Sequence, residues 1–447
     1  MSISVTKSTP EVVCPSKPTP VGGFISLSSF DKSLAGFSVT SYLVFEHPID
    51  NPAKNIKRAL AEALVHYYPI AGRLASSAAG DGNGDLSIAC TNEGVQFVAA
   101  SASCTLADAG LVDSPFTAAL ATDLAVDPSP ASGGGCRRRA DPLLSMQVTE
   151  FSCGGFVVGT TSDHAVADGE GMAQFMTAVG ELARGMPRPT VTPTRCDADS
   201  VLADTSPFVA ASNRWLMGLD HDDMAFLDIT VPASVIGRVR AGYLSSKRSP
   251  SDADAQISCT VVEAAMAVLW QCRARAVTTA GAGADDPDAP MPLLFAANLR
   301  RHVGVGDGYY GNCFGMQAVP ATRSEITDSH VNHVVELIKR AKEKIPEMSC
   351  KAGNGGSPAT TSWGAGVAGY DVFIVSSWRG VGLDAVDLGS GAPARVMWHG
   401  HRSIPSSVLC PPRRRREEDD DGVNVLARCV KQEHVDAFLG ELARFNQ

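Results

Sequence analysis

The feature that most constrains the fold is a mixture of strand-like and helix-like hydrophobic patterns on both sides of a proline-rich segment. Short apolar runs, typical of buried strands, lie in each half of the chain, at residues 143–151, 156–161, 293–297, 373–377 and 423–430. Apolar residues also recur at helical spacing in each half, at residues 56–67, 171–184 and 435–445. Strands and helices that mix throughout a chain predict an α/β architecture.

The proline-rich segment, residues 185–212, carries four prolines and shows little periodicity. We interpret it as a crossover between domains, because prolines interrupt regular structure. A chain of 447 residues is long enough for two or three domains of ordinary size. We therefore expect an N-terminal domain at residues 1–184, the crossover at 185–212 and a C-terminal domain at 213–447.

The charge balance and the cysteine spacing exclude several classes of protein. The chain has 38 Lys and Arg against 48 Asp and Glu, a formal net charge of -10. Nucleic acid is not an expected partner, because phosphate binding needs a clustered excess of basic side chains. No C-x-x-C spacing occurs among the 12 cysteines, which disfavours zinc ribbons and thioredoxin-like sites and favours buried free thiols.

Targeting and membrane signals are also missing from the sequence. The first residues contain no apolar core of a secretory signal. No uncharged apolar run approaches the roughly 18 residues that a membrane helix needs. The expectation is therefore a cytoplasmic protein without a membrane partner.

Two local patterns give more detailed expectations. Residues 81–100 contain two strand-like runs with Gly and Asn at the turns, which predicts a hairpin. Thr260 and Glu263 have the spacing of a capping box, in which each side chain bonds the backbone of the other residue. We expect a helix to begin there and to extend to about Arg275.

The candidate for chemistry is His164. It directly follows a strand-like run, and small residues and Gly169 then lead into a predicted helix. A histidine on a tight turn at a strand end can point into a cleft, and its neutral imidazole, with an ordinary pKa of about 6.5, can accept a proton. Asp168, four residues on, is expected to face away from the ligand, pair with a cation and fix the loop.

Competing chemistries have weaker support in the sequence. A metal site at His164 and Asp168 would need a third donor, and no second cluster offers one at a recognisable spacing. The G-x-S-x-G element of hydrolases and the P-loop pattern are both absent. G-x-G-x-x-G occurs at 306–311 and 364–369, but neither copy opens a predicted helix after a strand, so we treat both as chance.

Five further segments carry recognisable patterns. They are Leu27–Asp31 (LSSFD), Tyr67–Leu74 (YYPIAGRL), Asn298–Arg300 (NLR), Tyr310–Asn312 (YGN) and Asp387–Gly391 (DLGSG). Together with His164-x-x-x-Asp168-Gly169, they resemble, in sequence order, the conserved elements of the BAHD acyltransferases. The resemblance spans nearly the whole chain.

The resemblance implies two chloramphenicol-acetyltransferase-like domains of mixed β-sheets flanked by helices, joined by a long crossover loop. A solvent channel would run through the domain interface, with acyl-CoA as a co-substrate, no permanently bound cofactor, no metal and a monomeric state. His164 would be the general base, taking a proton from the acceptor as the acceptor attacks the thioester directly.

The same resemblance assigns the remaining site residues. Asp168 would be structural and paired with Arg300, with Gly169 beside it. Asp387 is counted with His164 among the catalytic residues, although it lies outside the channel and we expect it to hold the domain architecture. The family's DFGWG element reads DLGSG here, which removes two aromatic side chains next to Asp387.

The substrates are expected from finer resemblances. Residues 19–32 and 295–315 resemble grass members that transfer benzoyl or hydroxycinnamoyl groups to aromatic amines or alcohols. An amine such as tryptamine is the leading acceptor, and a benzyl-type alcohol is the alternative. The altered DLGSG segment motivates a hypothesis of another class, a catalytically silent ligand-binding homologue.

Overall fold

The computed structural model describes residues 4–76, 86–113, 115–126, 141–195, 223–247, 258–279, 286–346, 369–400, 404–413 and 422–446. Two large sheets, one small sheet and the helices that pack on them make up this part of the chain. None of the helices in these ranges is long and apolar enough to cross a membrane.

The first large sheet contains seven strands in the order β1-β7-β8-β9-β4-β14, and β2 also pairs with β7. Its strands are β1 Val5–Lys7, β2 Glu11–Val13, β4 Ser38–Phe45, β7 Val95–Ala102, β8 Leu144–Phe151, β9 Phe156–Asp163 and β14 Arg395–Gly400. The predicted strands at 143–151 and 156–161 are confirmed as β8 and β9, which pair antiparallel.

The second large sheet contains six strands in the order β10-β16-β15-β13-β11-β12. Its strands are β10 Leu227–Val231, β11 Leu293–Asn298, β12 Phe314–Val319, β13 Phe373–Ser377, β15 Ser406–Leu409 and β16 Val423–Arg428. Parallel and antiparallel pairs occur side by side, since β13 is parallel to β11 whereas β15 is antiparallel to β16. The strands predicted at 293–297, 373–377 and 423–430 are confirmed.

The small sheet overturns the hairpin prediction for residues 81–100. It has the order β3-β6-β5, formed by β3 Phe24–Ser26, β5 Arg73–Ser76 and β6 Leu86–Ala89. The next strand, β7, pairs instead with β1, β2 and β8 in the first large sheet. The prediction was wrong because a turn signal shows where the chain changes direction but not which strand it pairs with.

Ten α-helices lie within the described ranges: α1 Ser29–Leu34, α2 Pro52–His66, α3 Ala118–Asp123, α4 Gly169–Ala183, α5 Ala233–Lys247, α6 Val261–Thr279, α7 Arg300–Val303, α8 Arg323–Thr327, α9 Val331–Glu343 and α10 Val435–Arg444. The predicted helices at 56–67, 171–184 and 435–445 are confirmed as α2, α4 and α10. The Thr260 capping box also forms, because the Glu263 amide donates to Thr260 Oγ1 and the Thr260 amide to Glu263 Oε2.

Each large sheet has its own apolar core. Helices α2 and α4 bury one face against the first sheet, through side chains such as Leu60, Phe175 and Val158. Helices α5, α6, α9 and α10 do the same for the second sheet. The described part of the predicted crossover, residues 185–195, contains one β-bridge, between Thr194 and Tyr309.

One strand connects the two halves of the chain. β14 belongs to the second half in sequence, yet it pairs antiparallel with β4 at the edge of the first sheet. A further apolar cluster joins β4 and β14 to β15 and β16, through residues such as Val44, Met397 and Val408. The site described next lies where the two halves meet.

Candidate active site

His164 lies on the turn that follows β9. Its backbone amide donates to the carbonyl oxygen of Phe37 at 2.7 Å. The buried carboxylate of Asp163 accepts hydrogen bonds from the amides of Gly36 and Ala165. These bonds fix the turn on both sides of His164, so the ring has a defined direction.

Two cavities share His164 in their walls. The first, of about 160 Å³, is mainly apolar, with side chains from both halves of the chain: Phe37, Met172, Phe314, Trp378, Trp398 and Ile404. The second, of about 240 Å³, is more polar. It shares Asp168, Phe314 and Trp378 with the first and adds polar side chains: Glu170, Asn298, Arg300, Ser377 and Arg379. The imidazole is therefore not sealed in the core but accessible from an apolar and from a polar cavity.

The surroundings of the ring keep it uncharged. Burial lowers the pKa of His164 below its ordinary value, because the imidazolium loses hydration. Phe37 and Phe314 lie 6.0 and 5.7 Å from the ring, measured between centroids. A neutral imidazole can accept a proton, which is the property that a general base requires.

Asn312 holds the other side of the His164 ring. The distance between His164 Nδ1 and Asn312 Oδ1 is 2.9 Å. The amide nitrogen of Asn312 donates to the His164 carbonyl oxygen at 2.6 Å and to Asp31 Oδ1 at 2.8 Å. Asp31 pairs in turn with Arg195 at 3.1 Å, and all three of these side chains are buried.

Asp168 caps α4 and anchors Arg300. Its carboxylate makes two parallel hydrogen bonds with the Arg300 guanidinium, at 2.8 and 2.7 Å. It also accepts the amides of Gly171 and Cys313, so each lone-pair direction of the buried carboxylate is used. The structure therefore brings Asp168 and Arg300 together with His164, as the sequence predicted.

Gly169 and Gly171, both in the first turn of α4, differ in the space around them. A Cβ atom on Gly169 would lie 3.6 Å from Val381, an ordinary contact. A Cβ atom on Gly171 would overlap the backbone carbonyl oxygen of Tyr310. Gly169 lines both cavities, but it is Gly171 that lets α4 approach the Tyr310 segment.

Asp387 lies away from the His164 ring and lines neither of the two cavities. It pairs with Arg184, which follows α4, whereas Asp168 lies at the beginning of that helix. At 1.5 Å per residue, the 15-residue helix separates the two ends by about 22 Å. The structure thus separates the two residues that the sequence had grouped as catalytic, and Asp387 contacts no group at the His164 site.

The DLGSG segment is nevertheless well anchored. Asp387 Oδ1 accepts the amides of Gly389 and Gly391, and Ser390 Oγ donates to the His47 carbonyl oxygen at 2.5 Å. Leu388 is fully buried in the first core. The two aromatic residues of the family element are therefore replaced by side chains with partners of their own.

Sequence reasoning assigned no role to Asp31, Asn312 or Arg195. Asp31 and Asn312 belong to segments that carry the family resemblance, so that resemblance was a signal that they matter. Arg195 lies in the proline-rich segment and had no such signal. Among the described residues, no group of three or more His, Cys, Asp or Glu side chains is arranged to hold a metal ion.

The sequence profile of the Transferase family matches residues 3–442. This chain belongs to the BAHD transferase family, whose members are acyl-CoA-dependent acyltransferases. Acyl transferase 15 of Oryza sativa subsp. japonica is 42% identical over 456 residues, and the alignment covers 99% of each chain.

More distant BAHD relatives have more specific names. A myricetin 3-O-glucosyl 1,2-rhamnoside 6'-O-caffeoyltransferase of Crocosmia x crocosmiiflora, AT1, is 32% identical, with 100% of each chain covered. Benzyl alcohol O-benzoyltransferase of Nicotiana tabacum is 31% identical, with 78% of this chain and 74% of the relative covered. Both relatives are named for acyl transfer to oxygen.

Solved structures confirm the two-domain BAHD fold with its mixed sheets and flanking helices. Vinorine synthase superposes with a TM-score of 0.75 at 18% identity, covering 99% of this chain and 98% of its own. F. graminearum TRI101, complexed with coenzyme A and deoxynivalenol, superposes with a TM-score of 0.64 at 14% identity. It covers 93% of this chain and 96% of its own.

Proposed function

We propose that this BAHD acyltransferase moves an aromatic acyl group, benzoyl or hydroxycinnamoyl, from CoA to an aromatic amine such as tryptamine, with His164 as general base. The observation that carries the proposal is the position of His164 in the walls of both an apolar, aromatic cavity and a polar one. Donor and acceptor can each occupy one cavity and meet at the imidazole. Acyl-CoA is a co-substrate that leaves as free CoA after each turnover.

The proposed reaction balances with the groups present. The acceptor's N–H or O–H proton passes to His164 as the acceptor's nitrogen or oxygen forms a bond to the thioester carbonyl carbon. The tetrahedral intermediate then breaks its carbon–sulfur bond, and the leaving thiolate takes the proton from the imidazolium. A positioned base typically contributes about 10²–10⁴-fold, and alignment of two bound substrates contributes much of the rest.

The aromatic cavity supports the acyl group of the proposal. Two tryptophans and two phenylalanines line it, Trp378, Trp398, Phe37 and Phe314. Flat aromatic walls favour a flat aromatic guest, since offset and edge-to-face ring contacts add to the free energy of burial. The names of the Crocosmia and Nicotiana relatives point to the same class of acyl group.

The test crosses benzoyl-CoA and a hydroxycinnamoyl-CoA with tryptamine and with tryptophol, which share an indole ethyl group and differ only in amine or hydroxyl. CoA release and product mass are measured for the purified protein and for His164→Ala. We expect a faster reaction with tryptamine and a loss of about 10²–10⁴-fold in the variant. Activity that stays within a few-fold of wild type in His164→Ala would refute the base assignment.

The second candidate is an O-acyltransferase that acts on an aromatic alcohol. The names of the Crocosmia and Nicotiana relatives favour it. A faster reaction with tryptophol than with tryptamine would establish this candidate in place of the amine. A silent ligand-binding homologue is distinguished by acyl-CoA binding without CoA release from any donor and acceptor pair.

The proposal keeps the division of the chain at 1–184, 185–212 and 213–447, and a monomeric enzyme. His164, Asp168, Asn312 and Arg300 all come from one chain, which is what a monomer needs. A molar mass near the 46.7 kDa of a single chain, measured by light scattering on active fractions, is the expected result.

A further inference from the structure

We propose that Trp398, whose indole lies over Gly400 on β14, limits the apolar cavity to an acyl group with one aromatic ring, so that the enzyme takes a benzoyl donor in preference to a hydroxycinnamoyl donor. The inference rests on the proposed function and chooses between its two acyl groups. Trp398 is then a specificity-determining residue that takes no part in the chemical step.

The floor of the apolar cavity is one face of the first large sheet. Strands β9, β4 and β14 lie side by side there, and residues directly opposite each other share a face. Two rows on this face follow the His164 turn, first Ser162, Val39 and Gly400, then Thr160, Ser41 and Trp398. Successive rows are two residues apart, or about 7 Å. The cavity therefore extends away from His164 along these strands.

The Trp398 indole leans from the second row back over the first. A Cβ atom on Gly400 would lie 2.5 and 2.9 Å from two carbons of the six-membered indole ring. Residues two apart in a strand face the same side, so the indole fills the space that a side chain at position 400 would occupy. In the row next to His164, the cavity is thereby narrowed to the width of β9 and β4.

The volume that remains corresponds to a single ring. The apolar cavity measures about 160 Å³, and an apolar protein cavity of about 150 Å³ holds benzene. A benzoyl group would place its ring in this cavity and its carbonyl carbon at His164. A hydroxycinnamoyl group adds at least two vinyl carbons and a phenolic oxygen, for which a cavity of this size has no space.

The acyl group, rather than the acceptor, is the occupant that fits this cavity. The arm of CoA carries amides and phosphates, which suit the polar cavity with its Asn298, Arg300 and Arg379 side chains. The thioester carbonyl must lie at His164, so with the arm on the polar side the acyl group extends to the apolar side. Trp398 lines only the apolar cavity and can contact the acyl group but not the arm.

The direct test is the binding of donors to the unmodified protein without an acceptor, measured by isothermal titration calorimetry. We expect benzoyl-CoA to bind at least about tenfold more tightly than p-coumaroyl-CoA, because even one methylene changes discrimination in an apolar pocket by about 10–200-fold. Equal or tighter binding of p-coumaroyl-CoA overturns the inference. Failure of both acyl-CoAs to bind would refute the proposed function, and the inference with it.

The kinetic test is Trp398→Leu, which opens the space above Gly400. With tryptamine, or tryptophol if that acceptor is the faster, the ratio of kcat/KM for benzoyl-CoA to that for p-coumaroyl-CoA should fall at least about tenfold. The gain should come from p-coumaroyl-CoA. Each ratio is measured within one protein, so a partly folded preparation does not alter it, and an unchanged ratio overturns the inference.

Two comparisons make the kinetic test specific. Trp270 is fully buried in the second core and lines neither cavity, so Trp270→Leu is a matched control that should leave the donor ratio within about threefold. A fall in the ratio as large as that of Trp398→Leu overturns the inference. So does a Trp398→Leu enzyme whose preference changes only between tryptamine and the smaller benzylamine, because the cavity would then hold the acceptor.

Gly400→Ala approaches the same wall from beneath. The new methyl group would overlap the indole and push it into the cavity, so Kd for benzoyl-CoA should rise at least about tenfold. Kd for acetyl-CoA, which has no ring, should change less than about threefold. In the Trp398→Leu background no indole is left to displace, and Gly400→Ala should leave Kd for benzoyl-CoA within about threefold. An equal effect of Gly400→Ala with and without the indole overturns the inference.

Discussion

Helix α4 is held at each end by an aspartate–arginine pair, and the two pairs differ in burial. At its beginning, Asp168 and Arg300 form two short hydrogen bonds, and their side chains are 6% and 15% exposed. At its end, Arg184 and Asp387 lie 3.4 Å apart and are 34% and 36% exposed. Two ion pairs of the same residue types therefore differ in strength, because solvent screens the exposed Arg184–Asp387 pair but not the buried Asp168–Arg300 pair.

The two ends of α4 also lie beside different segments of the chain. The pair at the beginning of α4 lies beside His164 and bonds the Cys313 amide of the second half. The pair at the end lies beside the DLGSG segment, which bonds the His47 carbonyl oxygen through Ser390. The first end supports the proposed base, whereas the second connects two surface segments.

The largest expected effect is that of Arg300→Ala at the buried end. The variant leaves Asp168 as an uncompensated buried charge, so the free energy of unfolding should fall by about 3–5 kcal/mol. Urea denaturation followed by tryptophan fluorescence measures the loss. Arg184→Ala, which removes the exposed partner, is the control, and an equal loss in both variants would break the comparison.

A smaller loss is expected from Gly171→Ala. The new methyl group would overlap the Tyr310 carbonyl oxygen, and overpacking of this kind costs about 1–3 kcal/mol. Gly169→Ala, two residues earlier on the same helix, would place its methyl group in ordinary contact with Val381 and should be neutral or slightly stabilising. The midpoints of thermal unfolding of the two variants should therefore move in opposite directions or differ by several degrees.

The comparison predicts modest effects for Asp387→Ala. It removes an exposed ion pair worth about 0–1 kcal/mol and two turn hydrogen bonds of about 1 kcal/mol each. Because Asp387 is about one helix length from His164, kcat with the substrate pair of the His164 test should stay within about threefold once the protein is folded. A loss of kcat like that of His164→Ala would restore Asp387 to the catalytic residues.

The smallest expected effect is a shift in the pH dependence of kcat/KM. Burial lowers the pKa of His164, so the base remains neutral, and active, to a pH below the ordinary histidine value, and activity is lost as pH falls further. Asp168 opposes this shift by favouring the imidazolium, so Asp168→Asn should move the acid limb of kcat/KM to still lower pH. Asp387→Asn should leave the limb in place, and a shift in both would contradict the separation of the two ends.

Much of this architecture could be predicted from hydrophobic periodicity. The strands on either side of residues 152–155 and the helix after His164 have strong local patterns, so β8, β9 and α4 were found within a few residues. Helix α5 was missed because its apolar residues do not recur on one clear face, and β12, β14 and β15 because Gly, Gln, Arg, His or Ser residues interrupt their apolar runs. The prediction of a hairpin at 81–100 was wrong because the pairing partner of a strand depends on the whole sheet and not on the local sequence.

The site was predictable only where residues near in sequence form it. His164 and Asp168 lie in one turn and could be found, and Arg300 followed from the family resemblance. The hydrogen bonds from Asn312 to His164 and Asp31 cross 148 and 281 positions of the chain, which no local pattern encodes. Gly171 matters because a carbonyl oxygen from residue 310 approaches it, and that approach is also a product of the fold.

The pairing of β14 with β4 has a consequence for folding during synthesis of the chain. β4 is an apolar strand whose outer partner lies about 350 residues further along the chain. At about 5–20 residues per second, a ribosome needs roughly 20–70 s to deliver that partner. During that time the newly made first half exposes an unpaired sheet edge, which is a template for self-association. Yields from recombinant expression should therefore be higher at low growth temperature and with additional chaperone.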